Sequence, residues 1–263
     1  RIATELYVKR CVVGGTDRVY ELGKDFRNEG ISMKHNPEFT MLEWYEAYAD
    51  YEKTASDLEL LVHGVAVEVL GSSSIERDGK TIDLTPPWRR VTLRDAILEH
   101  AGIDIEVETT REKLAAAMGV ELESDVGWGK LVDTVFSKRV EPTLIEQTFI
   151  LDYPKELSPF AKAHRSKEGV VERWEAFLGG VEIANSFSEL NDPDEQRRRF
   201  EQQAEELARG DDEAQPYDES FIEALEQGMP PTGGVGLGID RLVMMLTGAS
   251  SLREVVLFPA MRD

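Results

Sequence analysis

An α+β fold is expected of this sequence, and three observations agree with it. The first is an alternating run that follows a loop. From Phe39 the residues fall into two sets, with Phe39, Met41, Glu43 and Tyr45 on one parity and Thr40, Leu42, Trp44 and Glu46 on the other. Side chains on a strand point to opposite faces with period two. One face would therefore carry a ring, a thioether, a carboxylate and a phenol, and a carboxylate there needs a cationic partner. The second observation is a hairpin signal, in which Gly179-Gly180 separates two strand-like runs. The third is a helical pattern from Thr92 to about Val140 that interrupts the strand segments.

The elements follow in order. Glu5 to Val13 reads as a helix stopped by Gly14-Gly15. Arg18 to Asp25 reads as a strand, Arg27 to Pro37 as a loop and Glu38 to Asp50 as a long strand. Leu58, Leu60, Leu61, Val65 and Val69 have helical spacing in a helix from about Thr54 to Leu70. Ile75 to Leu84 reads as a hairpin around Asp78-Gly79. In the helical stretch, Thr92 with Asp95 resembles a capping box and Thr109 with Glu112 fits one better. Strand character returns at Thr148 to Asp152 and from Arg173 to Leu190. Helices are expected over about Pro193 to Arg209 and Tyr217 to Glu226, and a last helix begins near Asp240. The acidic stretch from Glu201 to Glu213 reads as an exposed helix face. No internal repeat or low-complexity run is evident.

Composition narrows the function classes. The chain has 263 residues, 41% of them hydrophobic, enough for a large domain or a domain with an insertion. Its formal net charge is −21. A general nucleic-acid binder needs a basic surface to neutralise phosphates, so that class is disfavoured. An RNA partner held by a local patch or by a separate domain stays possible. The dense basic clusters, Arg197-Arg198-Arg199, Arg89-Arg90 and Lys138-Arg139, read as solvated faces. The single cysteine, Cys11, allows no internal disulfide and no cysteine-cluster metal site, and reads as a core residue of the first helix. No apolar run has the length of a membrane span, and no membrane association is expected.

Pairing across the Gly179-Gly180 turn puts Leu178 opposite Val181, Phe177 opposite Glu182 and Glu175 opposite Ala184. Glu175 and Glu182 then share a face as diagonal neighbours, roughly 7–8 Å apart. Two carboxylates so close either hold a cation between them, as carboxylates hold Mg²⁺ together with phosphate oxygens, or stand as two solvated acids on a wet face. Asn185, Phe187 and Glu189 share a parity that differs from that of Glu182. For both sets to face one pocket, a bulge must lie between Glu182 and Asn185. The Gly233 to Gly238 run lacks the Gly-Lys-Ser/Thr ending of a phosphate-binding P-loop. Its glycines suit close backbone approach and tight strand–helix packing.

Three segments in order carry a family resemblance. Phe26-Arg-Asn-Glu-Gly30 with His35-Asn-Pro-Glu-Phe-Thr-Met-Leu-Glu-Trp-Tyr45 is similar to motif 2 of class II aminoacyl-tRNA synthetases in the lysyl-tRNA synthetase family. Glu182-Ile-Ala-Asn-Ser-Phe-Ser-Glu-Leu-Asn-Asp192 resembles the lysine-binding strand of that family, and Gly234-Val-Gly-Leu-Gly-Ile-Asp-Arg241 resembles its motif 3. About Gly71 to Gln147 matches only loosely. The resemblance implies a class II synthetase catalytic fold, a mainly antiparallel sheet flanked by helices and broken by a helical insertion. The expected division is 1–87 with motif 2, 88–146 as the insertion, and 147–263 with the lysine strand and motif 3. It also implies an anticodon-binding domain and motif 1 before the matched region. Neither is found in this chain, which reads as the C-terminal part of a catalytic domain.

The implied activity is ATP-dependent activation of L-lysine to lysyl-adenylate, with transfer to tRNA(Lys), in a cytoplasmic homodimer using Mg²⁺. The resemblance gives Glu5 to the α-amino group, Asn185 to the α-carboxylate, and Glu43 and Glu189 to the ε-ammonium. Tyr45 would hydrogen-bond near that ammonium, and the Tyr45 and Phe187 rings suit the walls beside the stem. Arg27 would bind the α-phosphate together with the lysine carboxylate. Phe39 and Arg241 would sandwich adenine, Glu29 and Met41 line the nucleoside pocket, His35 and Asn36 meet the pyrophosphate side, and Glu175 and Glu182 hold the metal, with Glu175 also contacting ATP. On the residues alone, Glu5 reads first as a helix N-terminal acid and His35 as a surface loop residue. A second family, the paralogue that attaches β-lysine to elongation factor P, shares HNPEFTMLEWY. It typically has alanine at the position of Gly236 and FHEL where this chain has Phe187-Ser-Glu-Leu190. A non-catalytic ATP-binding or interaction segment is the remaining alternative.

Overall fold

The computed structural model describes residues 2–28, 30–77, 79–122, 126–158, 160–208 and 217–259. A seven-stranded sheet organises them. Its strands are β1 (Arg18–Phe26), β2 (Glu38–Ala47), β5 (Arg89–Thr92), β6 (Thr148–Leu151), β7 (Arg173–Leu178), β8 (Val181–Ser188) and β9 (Thr232–Gly238). Their order is β1-β2-β9-β8-β7-β6-β5, antiparallel throughout except for the parallel β5–β6 pair at one edge. A separate hairpin joins β3 (Ser74–Arg77) and β4 (Lys80–Asp83).

The helices are α1 (Glu5–Val13), α2 (Tyr51–Leu70), α3 (Leu93–Ala101), α4 (Arg111–Met118), α5 (Trp128–Val135), α6 (Pro193–Ala208), α7 (Glu219–Glu226) and α8 (Ile239–Thr247). Together with the antiparallel sheet they make the α+β architecture expected of the sequence. The back of the sheet packs on α2 and α8. Leu42 and Trp44 of β2, Trp174 and Ala176 of β7 and Leu237 of β9 meet Leu58, Val62, Leu242 and Met245 there. The back face is also pinned by polar bonds, from Thr54 to Ser186 at 2.8 Å and from the Tyr51 amide to Ser188 Oγ at 3.1 Å.

Among the described residues, helices pack on the front face at its two ends. At one, Val8 and Val12 of α1 lie against Tyr45 of β2. At the other, α3, α4 and α5 bury Ile97, Leu114, Val132 and Phe136 against Ile150 of β6 and Phe177 of β7. The front-face residues between those ends form the site. Residues 88–146 therefore pack on the sheet and also contribute its edge strand β5.

Several local expectations shift. β2 ends at Ala47, short of Asp50, because Tyr48 turns into the left-handed region (φ 63°) and Asp50 caps α2 by accepting from the Glu52 and Lys53 amides. The α2 helix thus starts at Tyr51, three residues before Thr54. Thr92 caps α3 as expected, accepting from the Asp95 amide. At α4 the cap is Thr110, which accepts from the Lys113 amide, in place of Thr109. Strand β5 was not anticipated, since Arg89-Arg90 reads as a basic cluster. Arg90 instead pairs with Glu59 at 2.7 Å and lies 5.3 Å from the Phe149 ring centroid.

Two burial expectations are overturned. Cys11 is exposed, because α1 turns Val8, Lys9 and Val12 inward and Cys11 away. Arg199 is only 4% exposed and donates to the carbonyls of Ser158 and Ala161 while pairing with Glu195. It is an internal clamp on the chain before β7, whereas Arg198 beside it stays exposed. Of the acidic stretch, Glu201 is exposed, while 209–213 lie outside the described residues.

Candidate active site

Register builds the site. β9 lies between β2 and β8, with Glu43 opposite Gly236 and Gly236 opposite Asn185, while Asn185 faces Glu175 across β7. The next row runs Tyr45, Gly234, Phe187 and Arg173. Directly opposed residues share a face, so both rows present their side chains to the front. The β9 positions are glycine, which leaves a bare floor between the β2 wall and the β8 wall.

The two glycines differ. A Cβ on Gly234 would lie 2.0 Å from Glu189 Oε1 and 2.4 Å from Tyr45 Cε1. A Cβ on Gly236 would meet only Met41 Sδ, at 3.6 Å. The first glycine is demanded by packing of the protein itself. The second leaves room above the floor.

The bulge needed to bring Glu182 and Asn185 to one face is present. Phe177 pairs with Glu182 and Ala176 with Ala184, so Ile183 has no partner and the register shifts. Glu175 therefore opposes Asn185, where regular pairing had put it opposite Ala184. Glu182 remains on the face of Phe177 and Glu175.

A cluster of acids and aromatic rings closes the α1 end of the floor. The Thr4 hydroxyl donates to Glu43 Oε2 at 2.6 Å, and the Tyr45 hydroxyl lies 3.5 Å from the same oxygen. Glu5 and Glu189 meet through Lys9, whose ammonium pairs with Glu5 and stands 2.5 Å from Glu189 Oε2. Burial pushes the Glu43 carboxyl up to about 7, against the pull of the Thr4 hydrogen bond, with Glu5 and Asp25 adding repulsion. Burial likewise raises Glu189, and Lys9 offsets part of that rise. Buried acids of raised pKa beside aromatic walls suit a cation at the end of an apolar stem.

At the other end, Glu175 accepts from the Tyr153 hydroxyl at 2.8 Å and pairs with Arg173. Arg173 also donates to Asn185 Oδ1 at 3.0 Å, and its guanidinium lies 4.4 Å from the Tyr153 ring centroid and 5.6 Å from that of Phe187. Burial pushes Glu175 up to about 7, with Arg173 opposing and Glu182 reinforcing the rise. Glu182 accepts from Arg241 at 3.0 Å. Among the described residues no three metal-ligating side chains gather into a cluster. The donor set at this end is two hard carboxylates on one face, which suits a Mg²⁺ ion completed by phosphate oxygens and water.

The remaining candidates lie along the loop between β1 and β2. Arg27 donates to the Ile2 carbonyl at 3.2 Å, and its guanidinium sits 5.1 Å from the Phe39 ring centroid. His35 Nδ1 meets Ser32 Oγ at 2.9 Å. Asn36 is buried and donates to the Glu38 carbonyl at 2.5 Å, so its amide holds the loop closed at the start of β2. Arg241 turns to the carbonyl and carboxylate of Glu182. Glu29 lies outside the described residues. Sequence reasoning missed Lys9, Arg173 and Tyr153. A signal existed for the first two, since Lys9 is one helical turn from Glu5 and Arg173 shares the strand parity of Glu175.

Comparison with known proteins identifies the family. Residues 1–262 match the family described as tRNA synthetases class II (D, K and N). The chain is 56% identical over 266 residues to a lysine–tRNA ligase of Thermosynechococcus vestitus, covering all of this chain and 53% of that protein. It is 54% identical over 265 residues to one from Moorella thermoacetica, covering 54% of it. Against the Nostoc punctiforme enzyme the identity is 53% over 268 residues, covering 47% of it. The chain thus spans about half the length of the curated relatives it matches.

Proposed function

The chain belongs to the class II tRNA synthetases of the D, K and N type, and from that premise we propose that it activates L-lysine with ATP and serves its transfer to tRNA(Lys). One observation carries the reading. The glycine floor of β9 is walled by Glu43 and Tyr45 on one side and by Asn185 and Phe187 on the other, with Glu189 over Gly234. That is a slot for an apolar stem ending in a cation. The lysine–tRNA ligase names of the relatives support the same substrate.

In this reading Glu43 and Glu189 take the ε-ammonium, Glu5 the α-amino group and Asn185 the carboxylate side. Arg27 binds the lysine carboxylate and the α-phosphate together, its planar fork matching two oxyanions. Phe39 stacks on adenine, Arg241 closes over it, and Met41 and Glu29 line the nucleoside. His35 remains a pyrophosphate contact, and Asn36 shapes the loop that carries it. Glu175 and Glu182 hold Mg²⁺, which when bound neutralises phosphate charge. The chemistry is in-line attack of a carboxylate on phosphorus. The protein therefore contributes position and charge more than proton transfer. Segment 88–146 acts as a structural insertion between the two catalytic segments, 1–87 and 147–263. The intact protein is a cytoplasmic homodimer in this reading. Among the described residues no helix is long and apolar enough to cross a membrane.

Lysine-dependent exchange of pyrophosphate into ATP tests the proposal, with α-lysine and β-lysine compared. Exchange with α-lysine supports it. A preference for β-lysine moves the chain's function to the elongation factor P paralogue, and a folded chain without exchange removes the activity.

A further inference from the structure

Lys9 stands where a charge is costly. Its side chain is 1% exposed, on the face of α1 that otherwise buries Val8 and Val12. Its ammonium pairs with Glu5 one turn earlier and with Glu189 at 2.5 Å, and lies 5.8 Å from the ring centroids of both Tyr45 and Phe160. Burial by itself works against its charged form. Attraction to Glu189 and Glu5 outweighs burial and keeps it charged. A plain structural ion pair needs one acid. Lys9 joins two, from ends of the chain far apart in sequence, and both belong to the pocket described above.

We propose that Lys9 is a positioning residue for amino-acid selection, a built-in counter-cation that fixes Glu5 and Glu189 and sets the charge they offer to the substrate. The inference rests on the reading that the pocket takes lysine. Glu5, Glu43 and Glu189 repel one another. With Lys9 among them and all four ionised, two negative charges remain uncompensated, and lysine brings two ammonium groups. Lys9 also aims Glu189. It takes Oε2, and Oε1 is left over the floor at Gly234. Without Lys9 the three acids face the site with one charge too many. They would relieve it by taking up a proton or by splaying apart, and either change degrades the match to a diammonium ligand.

The test is pyrophosphate exchange by wild type, Lys9→Met and Lys9→Arg, reading KM for lysine, KM for ATP and kcat, with thermal unfolding alongside. Lys9→Met is expected to raise the lysine KM at least about thirtyfold, the effect of truncating one partner of a buried charge pair, with the ATP KM held within about twofold. Lys9→Arg should recover most of the loss. A lysine KM within about twofold of wild type, the range of an inert substitution, overturns the proposal. So does an equal rise in both KM values that Lys9→Arg fails to repair, which marks a merely structural lysine. A double variant guards against misfolding. If Lys9 acts through Glu189, Lys9→Met adds little to Glu189→Gln, whereas a full further loss refutes the coupling. Calorimetric titration of lysine into wild type separates the two levels. No lysine binding by wild type defeats the lysine reading and this inference with it. Binding that Lys9→Met retains unchanged defeats only the role of Lys9.

Discussion

Glu43 and Asn185 occupy one row of the sheet with only Gly236 between them. Each belongs to a different strand, and the backbone of a third, without side chains, separates their carboxylate and amide. The width of the slot is set by two inter-strand spacings, about 10 Å in all. That is room for an extended amino acid lying on the glycine.

The two floor glycines should therefore respond differently to a methyl group. Gly234→Ala drives a Cβ into Glu189 and Tyr45, at 2.0 and 2.4 Å. The Tyr45 ring is buried between α1 and the sheet, so the variant should lose stability by about 1–3 kcal/mol, the cost of overpacking. Gly236→Ala meets only Met41 Sδ at 3.6 Å and should unfold like wild type while its KM for lysine rises. Urea titration and pyrophosphate exchange on the two variants check both halves. Equal behaviour would contradict the register argument.

Arg27 sits against Phe39, with its guanidinium 5.1 Å from the ring centroid and bonded to the Ile2 carbonyl. Arg27→Ala should lower the rate of adenylate formation by about 10²–10³-fold, the loss expected when one donor to a developing oxyanion is removed. A near-normal single-turnover rate would take Arg27 out of the mechanism.

Lysine affinity should depend on pH through Glu43. Burial raises this carboxyl from 4.5 to about 7. The sign follows from linkage. With a raised folded pKa, Glu43 is protonated in the empty pocket at mildly acid pH. Its contribution to stability is then lost as pH rises from 4.5 through about 7. A bound ammonium favours the charged form, so binding releases a proton below about pH 7 and tightens as pH rises through that value. Isothermal titration at about pH 6 and pH 8, each in two buffers of different ionisation enthalpy, reads both affinity and proton release. Glu43→Gln should flatten the dependence. A flat wild-type profile would show that the carboxyl is already ionised in the empty protein.

Arg173 ties the Glu175 end of the site to the chain before β7, bonding Asn185, Glu175, the Leu157 carbonyl and Ser158 Oγ. Arg173→Met leaves Glu175 buried without its cation. Breaking a buried pair from one side costs about 3–5 kcal/mol. Chemical denaturation should show that loss, and Glu175→Gln in the same background should restore part of it. No restoration would mean the arginine acts by packing alone.

Much of the fold was legible because its signals are local. Gly14-Gly15 ends α1 where it was expected, and the Asp78-Gly79 and Gly179-Gly180 pairs mark the two hairpins. The alternation from Phe39 to Tyr45 assigned the front face of β2 correctly, since Leu42 and Trp44 turn to the core behind it. Strand β9 was harder. Its Thr232 to Gly238 run is glycine-rich, and glycine has no strand preference of its own. It becomes a central strand only because β2 and β8 supply hydrogen bonds on both sides. Hydrophobicity reads Cys11 as inward, whereas α1 turns Val8, Lys9 and Val12 to the buried face and pairs Lys9 with the acids of the pocket.

The sequence by itself determined the main helices, the two hairpins, the parity of β2 and the residue types the chemistry needs, because periods and caps act over a few residues. The bulge near Ile183 follows from the sequence only on the reading that Glu182 and Asn185 face one pocket, and the structure supplies it. Only the tertiary structure decided which strands are neighbours. By putting β9 between β2 and β8 and α1 over their end, it brought Glu5 and Glu189 to one ammonium beside Glu43. Strand order and helix facing are settled by contacts between residues far apart in the chain, whose energies no local window contains.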